Sequence, residues 1–326
     1  MPPTPLAVVP LEGGIFGAEV LGLDLAAAAA ADEPTLVAQL WAATVGHGGL
    51  IVVRGQAGLQ RDPARFVRFT RGLCRCAAGA LDPEPEADVP AEPTEPTAFA
   101  EGKALFGGSD VWLPGFPDIR RIGNLHEHGG PPHVKNRVGR QWHLDGHKGA
   151  EPLLSFILGV VPGPPGSETL FASGSHAYDA LSPAQQQRAE SATCVMSNRY
   201  RSGGPVAEDF EKGLRMCAEG LSVEQGVAAT ERLDTWALDE RRERPVHLHP
   251  ETGRKTLLVA PVALDCVEGV EGVDRDSPHQ ARGFVKELLT PGTSDACVYA
   301  HSCELPTVPC NAMQCCAAQR SVLRMR

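Results

Sequence analysis

The sequence predicts a mainly β fold, a curled sheet sandwich with helices packed against its outside. Three observations predict it. Gly and Pro account for 35 and 28 of the 326 residues, about a fifth of the chain and more punctuation than a helical protein tolerates. Short apolar runs bounded by Gly or Pro recur from Asp118 onward. Hydrophobic residues make up 42% and charged residues 21%, close to an ordinary globular mixture of ~45–50% and ~25%. That mixture supplies a core and excludes wholesale disorder.

Taken in order, the N-terminal part is mixed. Asp32 can cap a helix beginning near Pro34, with Val37, Leu40, Trp41 and Val45 on one face. The helix ends at Gly46–Gly49 and feeds a strand, Leu50-Ile51-Val52-Val53-Arg54. A second helix is expected around Asp62–Leu73, with Phe66, Phe69 and Leu73 inward. The Pro-, Glu- and Ala-rich stretch 81–98 lacks apolar period and reads as a surface insertion in a single domain spanning 1–326. Strands are expected at Ile119–Ile122, Leu153–Val161, Val246–Leu248 and Thr256–Val259. One helix, Ser182–Glu190, is signalled by Ser182 as cap and Pro183 at its first position. The last segment, about 302–326, is atypical and Cys-rich.

Charge and cysteine usage narrow the function. Asp and Glu outnumber Lys and Arg by 40 to 30, a net charge of −10, which argues against a nucleic-acid surface built on clustered cations. No run approaches the ~20 apolar residues of a membrane helix. Met1-Pro2-Pro3 lacks the basic start of a signal peptide, so a cytoplasmic protein without a membrane partner is expected. Five of the ten cysteines (Cys297, Cys303, Cys310, Cys315, Cys316) crowd the last thirty residues, and the others are scattered without paired spacing. This is not a disulfide framework. Homo-oligomerisation is left open.

The chemistry is concentrated in Gly139-Arg140-Gln141-Trp142-His143-Leu144-Asp145-Gly146. On a strand, positions i and i+2 point to the same side, so His143 and Asp145 can aim an imidazole and a carboxylate at one point. A histidine from elsewhere would complete a facial site of two histidines and one carboxylate, the set that holds non-haem iron with positions open for reactants.

The neighbouring motifs sharpen this. Gly17-Ala18-Glu19-Val20-Leu21-Gly22-Leu23-Asp24-Leu25 is followed by Val52-Val53-Arg54-Gly55-Gln56, then Arg121-Ile122-Gly123-Asn124 and the Trp-His-x-Asp block. Gly166-Ser167-Glu168-Thr169-Leu170-Phe171-Ala172 comes next, then Ala177-Tyr178-Asp179-Ala180-Leu181, and finally His249-Pro250-Glu251-Thr252-Gly253-Arg254-Lys255. In this order, from about Gly13 to Tyr299, the sequence resembles the TauD/TfdA family of iron(II)- and 2-oxoglutarate-dependent dioxygenases.

The resemblance implies a double-stranded β-helix (a cupin-like jelly roll) with flanking helices. It implies Fe(II) as cofactor, 2-oxoglutarate and O2 as cosubstrates, and hydroxylation of a small organic, anionic substrate at an unactivated C–H. His143 and Asp145 become metal ligands and the catalytic pair. Thr169, 26 residues after His143, becomes a hydroxyl donor to a 2-oxoglutarate carboxylate.

The C-terminal pattern of the family breaks down in this sequence. Val298-Tyr299-Ala300-His301 begins it, and Cys303-Glu304-Leu305-Pro306-Thr307 then stands where Trp-x-Pro-Gly-Asp is expected. Two placements of the next motif compete. One makes Asn311 the motif asparagine and puts Cys316 at the distal-histidine position. The other aligns Gln319-Arg320-Ser321-Val322-Leu323-Arg324 with Asn-Arg-x-x-x-His and puts Arg324 there. Neither supplies a histidine, so His301 is the candidate for a third metal ligand late in the chain, with Cys316 as a thiolate ligand the alternative, unusual for this iron chemistry. Arg320 or Arg324 could salt-bridge the distal carboxylate of 2-oxoglutarate bidentately. The alternative is a catalytically impaired family member that acts as a binding or scaffold protein.

Overall fold

The computed structural model describes residues 5–28, 33–77, 112–113, 115–120, 142–144, 154–159, 166, 168–196, 241–249, 251–261, 264–302, 313–316 and 321–325. The insertion at 81–98 lies outside these residues, as do Asp32, Asn124, Asp145 and Arg320.

The chain opens with β1 (Ala7–Pro10), β2 (Ala18–Leu21), α1 (Glu33–Gly46) and β3 (Leu50–Val53), followed by α2 (Ala57–Arg61) and α3 (Pro63–Ala77). The hairpin β4 (Trp112–Leu113) and β5 (Phe116–Arg120) turns through Gly115, and β6 spans Ser155–Leu158. Next come β7 (Thr169–Ser173), α4 (Gly174–Asp179), α5 (Pro183–Ser191) and β8 (Thr193–Met196). Then follow β9 (Arg241–Glu243), β10 (Val246–Leu248), β11 (Lys255–Leu257), β12 (Leu264–Glu268) and α6 (Pro278–Gly292). A 3-10 turn, Asp295–Cys297, leads into β13 (Val298–His301), with β14 (Met313–Cys316) and β15 (Ser321–Met325) last.

Two sheets place the site. The larger runs in the order β1-β2-β3-β14-β6, and the other is β13-β7-β15. Strand alternation sorts their residues into layers. On β3, Ile51 and Val53 face outward and pack with Val20 against Leu36, Val37 and Leu40 of α1 and Phe66, Phe69 and Leu73 of α3. Leu50 and Val52 face the other way and meet Phe171 of β7 and Tyr299 of β13, together with Leu11 and Phe16. The opposite face of β7 carries Ala172 into a third cluster with Ala177 and Tyr178 of α4, Leu257 of β11, Leu264 and Val267 of β12, and Phe284, Val285 and Leu288 of α6. The order is helices, sheet, sheet, helices, with the Leu50–Phe171 layer between the two sheets.

The helix expected near Pro34 is α1, with a shifted face: Leu36, Val37, Leu40, Ala43 and Thr44 are its buried residues. Trp41 is half-buried because its indole N–H reaches out to Glu251 Oε1 at 2.8 Å. The second expected helix is α3, and Phe66, Phe69 and Leu73 are buried as predicted. In α5, Ser182 accepts from the Gln185 backbone N–H while Gln185 Oε1 accepts from the Ser182 backbone N–H. This reciprocal pair stabilises a helix start by about 1 kcal/mol.

The N-terminal motifs are joined physically. Gln56 is fully buried and binds three backbone groups: Leu23 O at 2.6 Å, Arg54 O at 2.8 Å and the Leu25 N–H at 2.9 Å. It thereby ties Gly22–Leu25 to the end of β3. Gly17 has φ +89, and a Cβ there would come within 2.6 Å of Leu11 Cδ1, so glycine is required where β2 crosses Leu50. The His249 imidazole closes its own turn, Nδ1 accepting from the backbone N–H of Glu251 and of Thr252 at 3.2 Å.

Candidate active site

The layer between the sheets changes character along its length. At one end Leu50, Phe16 and Phe171 are buried together, and Phe16 lies against the His176 ring with centroids 6.1 Å apart. At the other end stand the first residue of β7 and the last of β13. The antiparallel register pairs Tyr299 with Phe171 and His301 with Thr169. Directly paired residues share a sheet face, so Thr169 and His301 point into the layer beside one another. Thr169 is half-buried, whereas His301 is only 3% exposed.

His301 is held at Nδ1 by the Tyr299 hydroxyl at 3.3 Å. Burial pushes its pKa down, and the positive charge of Arg54 pushes it the same way, to about 4. The imidazole is therefore neutral at neutral pH, the form a metal ligand requires. Either group can be the donor in this bond, and in the tautomer whose Nδ1–H donates to Tyr299 the Nε2 lone pair is left for a metal. The chemistry of His301 fits a metal ligand.

Arg54 follows β3 directly and is exposed. Its Nε donates to Glu19 Oε2 at 3.0 Å, and Glu19 is the register partner of Val52 on β2. The pair is partly exposed, so its direct contribution to stability is small, ~0–1 kcal/mol. Its weight is electrostatic and local, felt at His301. In the sequence, Arg54 and Tyr299 lie within motifs that assign neither of them a role. The signal for Arg54 was available: a cation at i+2 from an inward-facing valine on a buried strand.

His143 occupies the short segment Trp142–Leu144. Leu144 is buried in the cluster of α4 and α6, and Trp142 packs against that cluster. Alternation puts half-buried His143 on the opposite side from both, away from that packed interior. Its intended partner Asp145 lies outside the described residues. Among the described residues no three His, Cys, Asp or Glu side chains are grouped to hold a metal ion.

The two C-terminal alternatives fall on different sheets. Cys316, on β14, pairs with Leu50 and Ser155, at the Leu50 end of the layer. Arg324, on β15, pairs with Leu170, and Met325 with Thr169. Thus Thr169 and His301 are the predicted site residues that the described structure brings together.

Comparisons with known proteins identify the family and the fold. The sequence matches the taurine catabolism dioxygenase TauD, TfdA family over residues 7–304. A search of the curated proteins finds no match. Among solved structures, AAD-2 in complex with Mn(II) and N-oxalylglycine superposes with a TM-score of 0.63 at 17% identity, covering 98% of this chain and 90% of that one. A taurine dioxygenase from Burkholderia xenovorans gives a TM-score of 0.59 at 18% identity, covering 99% of this chain and 83% of that one. At such identities these structures speak for the fold. No helix among the described residues is long and apolar enough to cross a membrane. The family match over nearly the whole chain carries the assignment: this protein belongs to the TauD/TfdA family, whose members are dioxygenases dependent on Fe(II), 2-oxoglutarate and O2.

Proposed function

We propose that this chain hydroxylates a small, anionic organic substrate, with His143, Asp145 and His301 as metal ligands and Thr169 as a cosubstrate contact in a jelly-roll core. The observation that carries the reading is the pairing of His301 with Thr169 on the inward face, where a neutral buried imidazole and a hydroxyl stand side by side.

When bound, the iron couples oxidative decarboxylation of 2-oxoglutarate to insertion of oxygen into a C–H bond. The chain's own residues hold and orient. Tyr299 fixes the His301 ring through Nδ1, as outer partners of ligating histidines do. The Thr169 hydroxyl donates to a carboxylate oxygen and sets the cosubstrate's direction. Phe171, Leu50 and Val52 exclude water from the far end of the layer. Arg320 and Arg324 remain candidates for the second carboxylate of 2-oxoglutarate.

The second reading, an impaired member acting as a binding protein, is favoured by one observation. Neither C-terminal placement puts a histidine at the distal ligand position. Iron content and 2-oxoglutarate decarboxylation by the purified chain discriminate. Decarboxylation that is lost in His143→Ala supports the enzyme, and a chain that neither retains iron nor consumes 2-oxoglutarate supports the second reading.

A further inference from the structure

We propose that the turn joining β10 to β11 is an acid-operated latch: the neutral His249 imidazole holds it shut on Trp41 of α1, and protonation of that ring releases Trp41. The inference is independent of the reaction proposed above.

The turn ties the two outer helix layers together. On one side Trp41 Nε1 donates to Glu251 Oε1 at 2.8 Å, and Trp41 packs on the cluster of α1 and α3. On the other, Arg254 donates to Asp179 of α4 and Lys255 to Glu190 of α5, both at 2.6 Å, and the Ser175 and Thr256 hydroxyls meet at 2.9 Å. The backbone closes the turn with the His249 N–H on Arg254 O and the Gly253 N–H on His249 O, each at 2.8 Å. The His249 side chain orients the tip that carries Glu251. Its Nδ1 accepts from the Glu251 N–H and the Thr252 N–H, each at 3.2 Å, which requires a neutral ring with its proton on Nε2.

Protonation reverses the role of Nδ1. An imidazolium carries N–H on both nitrogens and accepts nothing. Two backbone donors then lose their acceptor and face a third donor, so the ring must swing away. Glu251 is the carboxylate whose charge acts on His249, and pairing with the new cation draws it off the Trp41 indole. Glu251 and Thr252 are exposed, so water meets their freed N–H groups and the release costs little. The contacts to α4 and α5 involve no His249 ring atom, which confines the opening to the Trp41 side.

The surrounding charges are accounted for. Within the turn, Arg254 opposes a charged His249. On α4, Asp179 is held by Arg254, and His176 feels that same guanidinium. On α5, Glu190 is held by Lys255; on α3, Cys76 feels Glu251. Burial, chiefly, and Arg254 keep His249 below its ordinary pKa of 6.5, so the latch is shut at neutral pH and opens on acidification.

The test follows the four Trp indole N–H resonances of the 15N-labelled full chain by NMR from pH 8 to pH 5, with Trp41 assigned by its loss in Trp41→Phe. His249→Asn keeps an acceptor for the N–H two residues on and takes up no proton. In the wild type the Trp41 resonance is expected to shift with a midpoint below pH 6.5. That shift is expected to be lost in His249→Asn and kept in His176→Asn. If His249→Asn does not fold, Glu251→Gln serves: its amide still accepts from Trp41 and is not drawn to the cation, so the shift is again expected to be lost. A Trp41 resonance that does not titrate in the wild type, or a shift that persists in whichever of the His249 and Glu251 variants folds, overturns the latch. So does loss of the shift in His176→Asn, or movement of all four indoles together, the mark of global acid unfolding.

Discussion

Acidification should destabilise the metal-free protein through His301, by an amount the structure sets. The ring is 3% exposed and its pKa falls from 6.5 to about 4, chiefly through burial and secondarily through Arg54. A group whose folded pKa is depressed contributes stability above its unfolded pKa and loses it as pH falls toward the folded value. The window therefore runs from about pH 6.5 down to about pH 4. Each pH unit of that window is worth about 1.4 kcal/mol, so the full loss below it is about 3 kcal/mol, and between pH 7 and pH 5 the loss is about 2 kcal/mol.

The assay is urea unfolding at pH 7 and pH 5 with a chelator present, for wild type and for His301→Gln. Glutamine keeps a hydrogen-bonding group against Tyr299 and cannot take up the proton. The half-buried His176 and His249 also have lowered pKa values, both mainly through burial, and they titrate in both proteins. Their effect cancels in the comparison. The pH 7 to pH 5 loss should be about 2 kcal/mol smaller in the variant. Equal losses in the two proteins would refute the argument that His301 is held neutral inside the layer.

His143→Ala and Asp145→Ala should each abolish iron retention and 2-oxoglutarate turnover while leaving the unfolding midpoint nearly unchanged; wild-type metal content in either would remove it from the ligand set. Thr169→Val should raise the 2-oxoglutarate concentration needed for half-saturation by the loss of one hydrogen bond to a charged acceptor, about 1.5–3 kcal/mol, and an unchanged requirement would take Thr169 out of the site. A methyl placed on Gly292 would overlap the Ala177 backbone where α6 crosses α4. Gly292→Ala should therefore cost about 1–3 kcal/mol in denaturant unfolding, and wild-type stability would mean that this crossing can open without penalty.

Some of this was legible in the sequence, for reasons that differ between elements. The helices α1, α3 and α5 carried either an apolar period or an unambiguous cap, and β3 and β10 were bounded by their own turn residues. Helix α6 was missed although it is capped by Ser277 with Pro278 at its first turn. Gly283 and Pro291 break its pattern, and its apolar face, Phe284, Val285, Leu288 and Leu289, shows only once the neighbouring β12 and α4 are in place. The apolar period puts Trp41 on the face of Val37 and Leu40 because an indole counts as apolar. Its N–H instead found Glu251, 210 positions away, and no local pattern carries that information.

The candidate site was legible to the extent that its chemistry is local. His143 and Asp145 announce themselves by spacing, and Thr169 by its motif. The partnership of Thr169 with His301 depends on the register of β7 with β13, fixed by Phe171 and Tyr299 packing one residue pair further in. A slip of β13 by one residue would send Tyr299 and His301 to the opposite face, so the same contacts that bury the apolar end determine what stands at the polar end. An inward sandwich position ordinarily carries an aliphatic residue, and β3 follows that rule at Leu50 and Val52. At His301 the rule is broken. Burial and the charge of Arg54 act together there, and both hold the ionisable ring neutral. A buried ionisable group with so depressed a pKa marks a functional site more often than a packing accident.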